Sequence, residues 1–196
     1  MIERESAQNL ILKLNALMKL SDDSINSILE ITELVKFTKG SLVQDIGKSC
    51  KNLYFIHEGS LRIFYLKDGN DITESFEFEG SFVARGESLL TMKPSSKGIE
   101  AIEDSQLMQI NTPKLFALFA TNIEIERAFH KMIEQAYIQQ INRLESIQFH
   151  TAEQRYVQLC QENPKAIQRI PLKFIASFLG ITQVSLSRIR AKKVEF

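Results

Sequence analysis

Cysteine is scarce in this chain. The two present, Cys50 and Cys160, lie far apart and have no neighbour at metal-ligand spacing. That excludes a secreted disulfide framework and a thiolate metal site, and it fits two free thiols in a reducing compartment. Histidine is equally sparse. His57, His130 and His150 are scattered, so a four-ligand site would need nearly all of them, and no metal or cofactor is expected. Long apolar runs are missing too. No stretch approaches the roughly 18 residues of a membrane span. The start, MIERESAQNLILKLNALMKL, has charges before and inside its apolar part and reads as an amphipathic helix, not a signal peptide. A cytoplasmic protein with no membrane partner is the expectation. Catalytic signatures are also lacking. Glu58, Asp68, Asp71, Glu74, Glu77 and Glu79 are plentiful carboxylates, but they read as turn residues or as the outer faces of strands. No paired acid and base, nucleophile with histidine or phosphate loop is evident, so the chain is not expected to be an enzyme.

What remains is ordinary in bulk and uneven in distribution. Of 196 residues, 44% are apolar and 24% charged, and the net charge is zero. The neutrality conceals a division. Residues 164–196 carry Lys165, Arg169, Lys173, Arg188, Arg190, Lys192 and Lys193 against Glu195, a net +6, which leaves −6 on residues 1–163. A basic end on an acidic body suggests that one end binds a polyanion.

The hydrophobic period divides the chain into three. Residues 1–36 read as helical, with Leu10, Leu14, Leu17 and Met18 at helical spacing and Ser21 as a cap before a second helix. Residues 37–110 are punctuated by Gly40, Gly47, Gly59, Gly69, Gly80, Gly86 and Gly98 between short aromatic and β-branched runs. Asp68-Gly69 marks a hairpin, and ESFEFEGSF alternates, with Phe76 and Phe78 on one side and glutamates on the other. This predicts an antiparallel barrel or sandwich. Helix returns over residues 112–163. Thr112-Pro113 reads as a cap followed by Pro at the first helical position. Residues 122–149 contain neither Gly nor Pro. There Ile125, Phe129, Met132, Ala136, Gln140 and Leu144 recur at steps of three and four, a narrow seam that fits a dimer helix. Thr151 and Gln154 form a capping-box pattern. The domain limits expected are 1–121 for a β-roll sensor, 122–149 for the dimer helix, and 150–196 for a C-terminal helical domain.

The sharpest motif is FIASFLGITQVSLSRIR, residues 174–190. Ile175, Phe178 and Leu179 form the buried face of a first helix that starts near Pro171, and Ala176 is small where another helix would cross. Gly180 supplies the positive φ of a sharp turn, Ile181 plugs it and Thr182 caps the next helix. Leu186 and Ile189 point back. This order predicts a helix-turn-helix. On the outward face, Val184, Ser187, Arg188 and Ala191 share one side, with Thr182 and Gln183 at the N-terminal end. Arg and Gln can read guanine and adenine edges, and Val184 can touch a thymine methyl. Arg190, Lys192 and Lys193 are placed for phosphate.

With LYFIHEGSLRIFYLKDG, the long helix and IASFLGITQVSLSRIR taken together, nearly the whole chain resembles the Crp–Fnr family of bacterial transcription regulators. The resemblance implies an α+β architecture: an N-terminal antiparallel, jelly-roll-like β-roll with flanking helices, a long dimerisation helix, and a C-terminal helix-turn-helix domain. It further implies a homodimer on double-stranded DNA, with RNA polymerase as a further candidate partner. The base-reading positions fall on Gln183, Val184 and Arg188 within a recognition helix at 182–192. Val184 stands where an acidic residue is common, which points to a different operator. The chain given stops at Phe196, so little or no wing is expected.

Relatives that respond to nucleotides hold the ribose and cyclic phosphate with a Gly-Glu pair and a downstream Arg. Two registers are open. One puts Ala84-Arg85 at the Gly-Glu positions and Ser95 at the Arg position. The other uses Gly86-Glu87 and brings Lys97 near the Arg position. The first keeps IEAIEDSQLMQI in step without gaps. Neither supplies the phosphate arginine, whose bidentate bond is the strongest partner available. Arg85, Glu87, Ser95 and Lys97 are the candidate effector residues, and the effector is not expected to be a cyclic nucleotide. The iron–sulfur sensors of the family need cysteines that are lacking here. The expectation is therefore a dimeric, sequence-specific DNA-binding regulator. The alternatives are a cyclic-nucleotide-responsive regulator and a ligand-sensing protein-interaction module.

Overall fold

A computed structural model describes residues 2–191 of the chain. The expectations for Lys192, Lys193 and a wing lie outside these residues. Two helices open the fold, α1 (Gln8–Leu17) and α2 (Asp22–Glu30). Ser21 caps α2 by accepting from the Ser24 amide. The helical period read over residues 1–36 ends early, because β1 (Thr32–Phe37) begins there as a strand. Five further strands follow: β2 (Leu42–Gln44), β3 (Asn52–Glu58), β4 (Ser60–Lys67), β5 (Asn70–Phe78) and β6 (Phe82–Val83). The short helix α3 (Gly86–Thr91) precedes β7 (Gly98–Ala101) and β8 (Ser105–Asn111).

The strands form two four-stranded antiparallel sheets, ordered β1-β8-β3-β6 and β2-β7-β4-β5. Together they make the β-roll. β4 and β5 join at Asp68-Gly69, where φ is 51° and 77°, the positive pair that a two-residue primed turn requires. The LYFI run of β3 is buried on both faces. Tyr54 and Ile56 point into the roll with Leu61, Ile99 and Leu107. Leu53 and Phe55 point out to a second core with Leu10, Ile25, Met108 and Ile125. That explains a continuous apolar run in place of alternation.

Helix α4 (Thr112–Phe119) is capped by Asn111, one residue before the predicted Thr112 cap. The long helix α5 (Ile123–Phe149) starts on Asn122, whose side chain accepts from the Glu124 and Ile125 amides. Glu124 ties this end to α2. It accepts from the Ser21 amide at 2.9 Å and from the Ser21 and Ser24 hydroxyls at 2.7 and 2.6 Å. These hydrogen bonds, above all that of Ser24, pull its carboxyl down to about 2.

The described residues close with four helices: α6 (Ala152–Glu162), α7 (Pro164–Arg169), α8 (Leu172–Leu179) and α9 (Gln183–Ala191). The capping box of Thr151 and Gln154 forms as read. Pro164 opens α7, a short helix the sequence reading did not anticipate. Tyr156, Leu159, Ile170, Phe174, Ile175, Ala176, Leu179 and Leu186 make the core of this part, and Ile102 of the roll belongs to it. No helix among the described residues is long and apolar enough to cross a membrane.

Candidate nucleic-acid interface and effector cassette

Helices α8 and α9 are held by their turn. Gly180 has φ 70°. The Ile181 amide donates to Ala176 O and the Gly180 amide to Ser177 O, the paired bonds of a left-handed helix end. Thr182 Oγ1 then accepts from the Ser185 amide at 3.1 Å, which caps α9. Leu186 is buried and Ile189 half-buried against α8. Thr182, Gln183, Val184, Ser187, Arg188, Arg190 and Ala191 are exposed. Val184 is the notable member, a β-branched apolar side chain with 63% of its surface open to solvent. Arg190 lies beside Tyr156.

The outer face of the roll docks these helices. Phe76 pairs across the sheet with Arg62, and Phe78 with Ser60, so both phenylalanines face outward onto the C-terminal core. Phe76 meets Phe178 at 5.2 Å between ring centres. Arg62, 2% exposed, lies 3.8 Å from the Phe174 ring centre and binds Asp71 and Glu100. Burial opposes its charge, but the hydrogen bonds of Asp71 and Glu100 hold it above the usual range. Ser177 donates to Asp71 O and accepts from the Thr73 amide, and Arg169 pairs with Glu79 and Glu103. None of these partners was legible as such, because each pair is separated by many residues of sequence.

Glu77 corrects the strand reading. It pairs with Leu61, which points into the roll, so Glu77 faces inward and not to the outer face. Burial pushes its carboxyl up to about 7, opposed by the Ser75 hydroxyl and assisted by Glu74. Glu74 is no outer-face residue either. It accepts Lys97 Nζ at 2.7 Å and stands 3.6 Å from Arg85. Three of the four predicted effector residues therefore gather. Arg85 and Lys97 share Glu74, and buried Ser95 exchanges hydrogen bonds with the Lys97 backbone. Glu87 is exposed in the first turn of α3 and does not join them. Glu74 was the residue missed.

The predicted seam on α5 splits in two. Ile125, 2% exposed, and Phe129 are buried against their own chain, and Met132 packs on the same core. Phe129 stacks with Phe116 and Phe119. Ile125 thus has no surface left for a second chain. The open apolar face lies further along: Tyr137, Ile138, Ile141, Leu144 and Ile147, with Ala136 and Gln140 also exposed.

Against known proteins, residues 34–122 match the model of the cyclic nucleotide-binding domain. No curated protein matches the chain. Among solved structures the chain is similar to FixK2 from Bradyrhizobium japonicum, with 16% identity, 83% of this chain and 84% of that one covered, and a TM-score of 0.73. A protein of Eubacterium rectale described as a transcriptional regulator of the Crp/Fnr family has 19% identity, 90% and 85% coverage, and a TM-score of 0.69. CLP of Xanthomonas campestris, described as a c-di-GMP-responsive global regulator, has 16% identity, 88% and 91% coverage, and a TM-score of 0.68. The fold is thus an α+β β-roll of the cyclic nucleotide-binding type with flanking helices and one long helix. Its structural neighbours include a protein described as a regulator of the Crp/Fnr family.

Proposed function

We propose that the protein is a dimeric, sequence-specific DNA-binding transcription regulator that does not respond to cyclic nucleotides. The observation that carries the reading is the outward face of α9. Gln183, Val184, Ser187 and Arg188 stand free in solvent at the end that follows the turn, while Leu186 anchors the helix on α8. Here α8 and α9 act as a helix-turn-helix, α9 lies in the major groove, and Arg188 and Gln183 read base edges. Arg190 serves the phosphates. Residues 150–196 form the DNA-binding unit, 1–121 the roll, and 122–149 the dimer helix. Dimerisation uses Tyr137, Ile141 and Leu144, which lie on one exposed stripe of α5. The roll lacks nucleotide response because no arginine stands at the cassette's phosphate position and Glu74 already engages Arg85 and Lys97, the cations nearest the cassette. Selection of bound duplexes from a random pool, with and without cyclic AMP, tests all of this. A two-fold-symmetric consensus that is indifferent to the nucleotide is the expected result. Enrichment of no sequence removes the DNA reading, and tighter binding with cyclic AMP removes the cassette reading.

A further inference from the structure

Helix α8 is anchored differently along its length. Its flank lies on the roll, where Ser177 bonds the edge of β5 and Phe174 meets Arg62. Its C-terminal end is held by α5 and α6 instead. A helix leaves its last carbonyls without intrahelical partners, and their partial negative charge favours cations. The turn's own amides take two of them, Ala176 O and Ser177 O. Guanidinium groups take the next two. Arg143 of α5 donates to Phe178 O at 2.9 Å and lies 3.8 Å from the Phe178 ring centre. Arg155 of α6 donates to Leu179 O at 2.6 Å. Its other terminal nitrogen reaches Ile147 O and His150 O, at the end of α5, at 3.4 and 3.3 Å. One planar fork thus joins the end of α5 to the end of α8. Burial, with the charge of Arg155 second, lowers Arg143 to about 10 against an opposing pull from Glu74, so it remains a cation at neutral pH.

These bonds stand directly before the turn. Gly180, Ile181 and Thr182 alone separate α8 from α9. Helix α9 has 9 residues, so about 13 Å of helix hangs on that turn. A swing of roughly 15° there moves its far end by about 3.5 Å, close to the rise of one base pair. Arg143 is also the neighbour of Leu144 in the open stripe of α5. One helix therefore carries both the exposed stripe and half of the clamp.

We propose that Arg143 and Arg155 are positioning residues for DNA: they fix the turn at Gly180 to α5, and thereby the distance between the two copies of α9 in the dimer. This role rests on the reading of α9 as the recognition helix and of α5 as the dimer helix. Duplexes that carry the wild-type half-site as inverted pairs, with centres lengthened or shortened by single base pairs, test it by fluorescence anisotropy. Wild type should lose about tenfold in affinity for one inserted base pair, the scale of one charge-assisted hydrogen bond. Arg143→Gln and Arg155→Gln should select the same half-site sequence from a random pool, since Gln183, Val184 and Arg188 are untouched. They should separate neighbouring spacings by less than about threefold. Arg143→Lys restores the cation and the single bond to Phe178 O, so it should recover most of the wild-type discrimination. A variant that had only lost folded fraction would weaken every spacing alike and leave the ratio unchanged. Unchanged discrimination in either Gln variant that folds, a changed half-site sequence, no recovery in Arg143→Lys, or failure of both Gln variants to fold overturns the proposal. If wild type selects no two-fold-symmetric site, the reading of α9 falls and the clamp with it. If wild type selects one and the variants keep its spacing, the clamp alone falls.

Discussion

Replacing Glu77 with Gln isolates the cost of one inward carboxylate. Glu77 shares its face with Leu61, accepts Ser75 Oγ at 2.9 Å, and lines a cavity of about 370 Å³ with Arg143 and Arg155 on the other side. Its carboxyl is raised from 4.5 to about 7 by burial. At about 1.4 kcal/mol for each pH unit the ceiling is roughly 3 kcal/mol. Because the side chain is only half-buried, about 2 kcal/mol is the working figure. The sign follows from proton counts. Between 4.5 and 7 the native state holds the proton more tightly than the unfolded chain does, so native stability falls as pH rises through this window. Below it the penalty vanishes, and above it the penalty is complete. Urea denaturation of wild type and Glu77→Gln at pH 4.5 and pH 8 measures this. Glu77→Gln should match wild type within about 0.5 kcal/mol at pH 4.5 and exceed it by about 2 kcal/mol at pH 8. An offset of the same size at both pH values would refute the reasoning, because it would mean that charge is not what the variant removes.

Other expected outcomes follow from the geometry already given. Arg188→Ala should lose about 1–3 kcal/mol at a selected operator and little on random duplex, read by fluorescence anisotropy. Gly180→Ala meets no atom within 4 Å, so its cost is that of a positive φ alone, about 1–2 kcal/mol by urea denaturation. Arg62→Ala strands Asp71 and Glu100 and removes the cation from Phe174, so a loss of about 3 kcal/mol is expected in the same assay. Ile141→Glu places a charge on the open stripe of α5 and should shift sedimentation from dimer to monomer.

Local chemistry was readable in the sequence, and the choice between faces was not. The Asp68-Gly69 hairpin, the caps at Ser21, Thr151 and Thr182, and the turn at Gly180 each depend on a few adjacent residues, and each formed as read. Alternation in ESFEFEGSF assigned Phe76 and Phe78 to one face and Glu77 to the other. It could not say which face was inside, because a period of two is the same for both. Long-range packing settled the matter: α8 covers the phenylalanines, and Glu77 shares the face of Leu61. The first half of the stripe on α5, Ile125, Phe129 and Met132, is covered by its own chain for a related reason. Its spacing identified an apolar seam but not its cover, and α4 supplies Phe116 and Phe119 to Phe129 from the same chain. Glu74 escaped notice because its partners, Arg85 and Lys97, are brought to it only by closure of the roll.

The core of the C-terminal helices is not wholly their own. Ile102 completes it, Phe76 and Phe78 roof it, and Arg62 of β4 reaches across to Phe174. Such a unit is poorly suited to transplantation. A chimera that joined helices α6 to α9 to another β-roll would expose the apolar side of α8 unless the new host offered a matching aromatic strand and a buried arginine. Exchange of the C-terminal helices between proteins of this fold is therefore constrained by one outer sheet face as much as by the long helix.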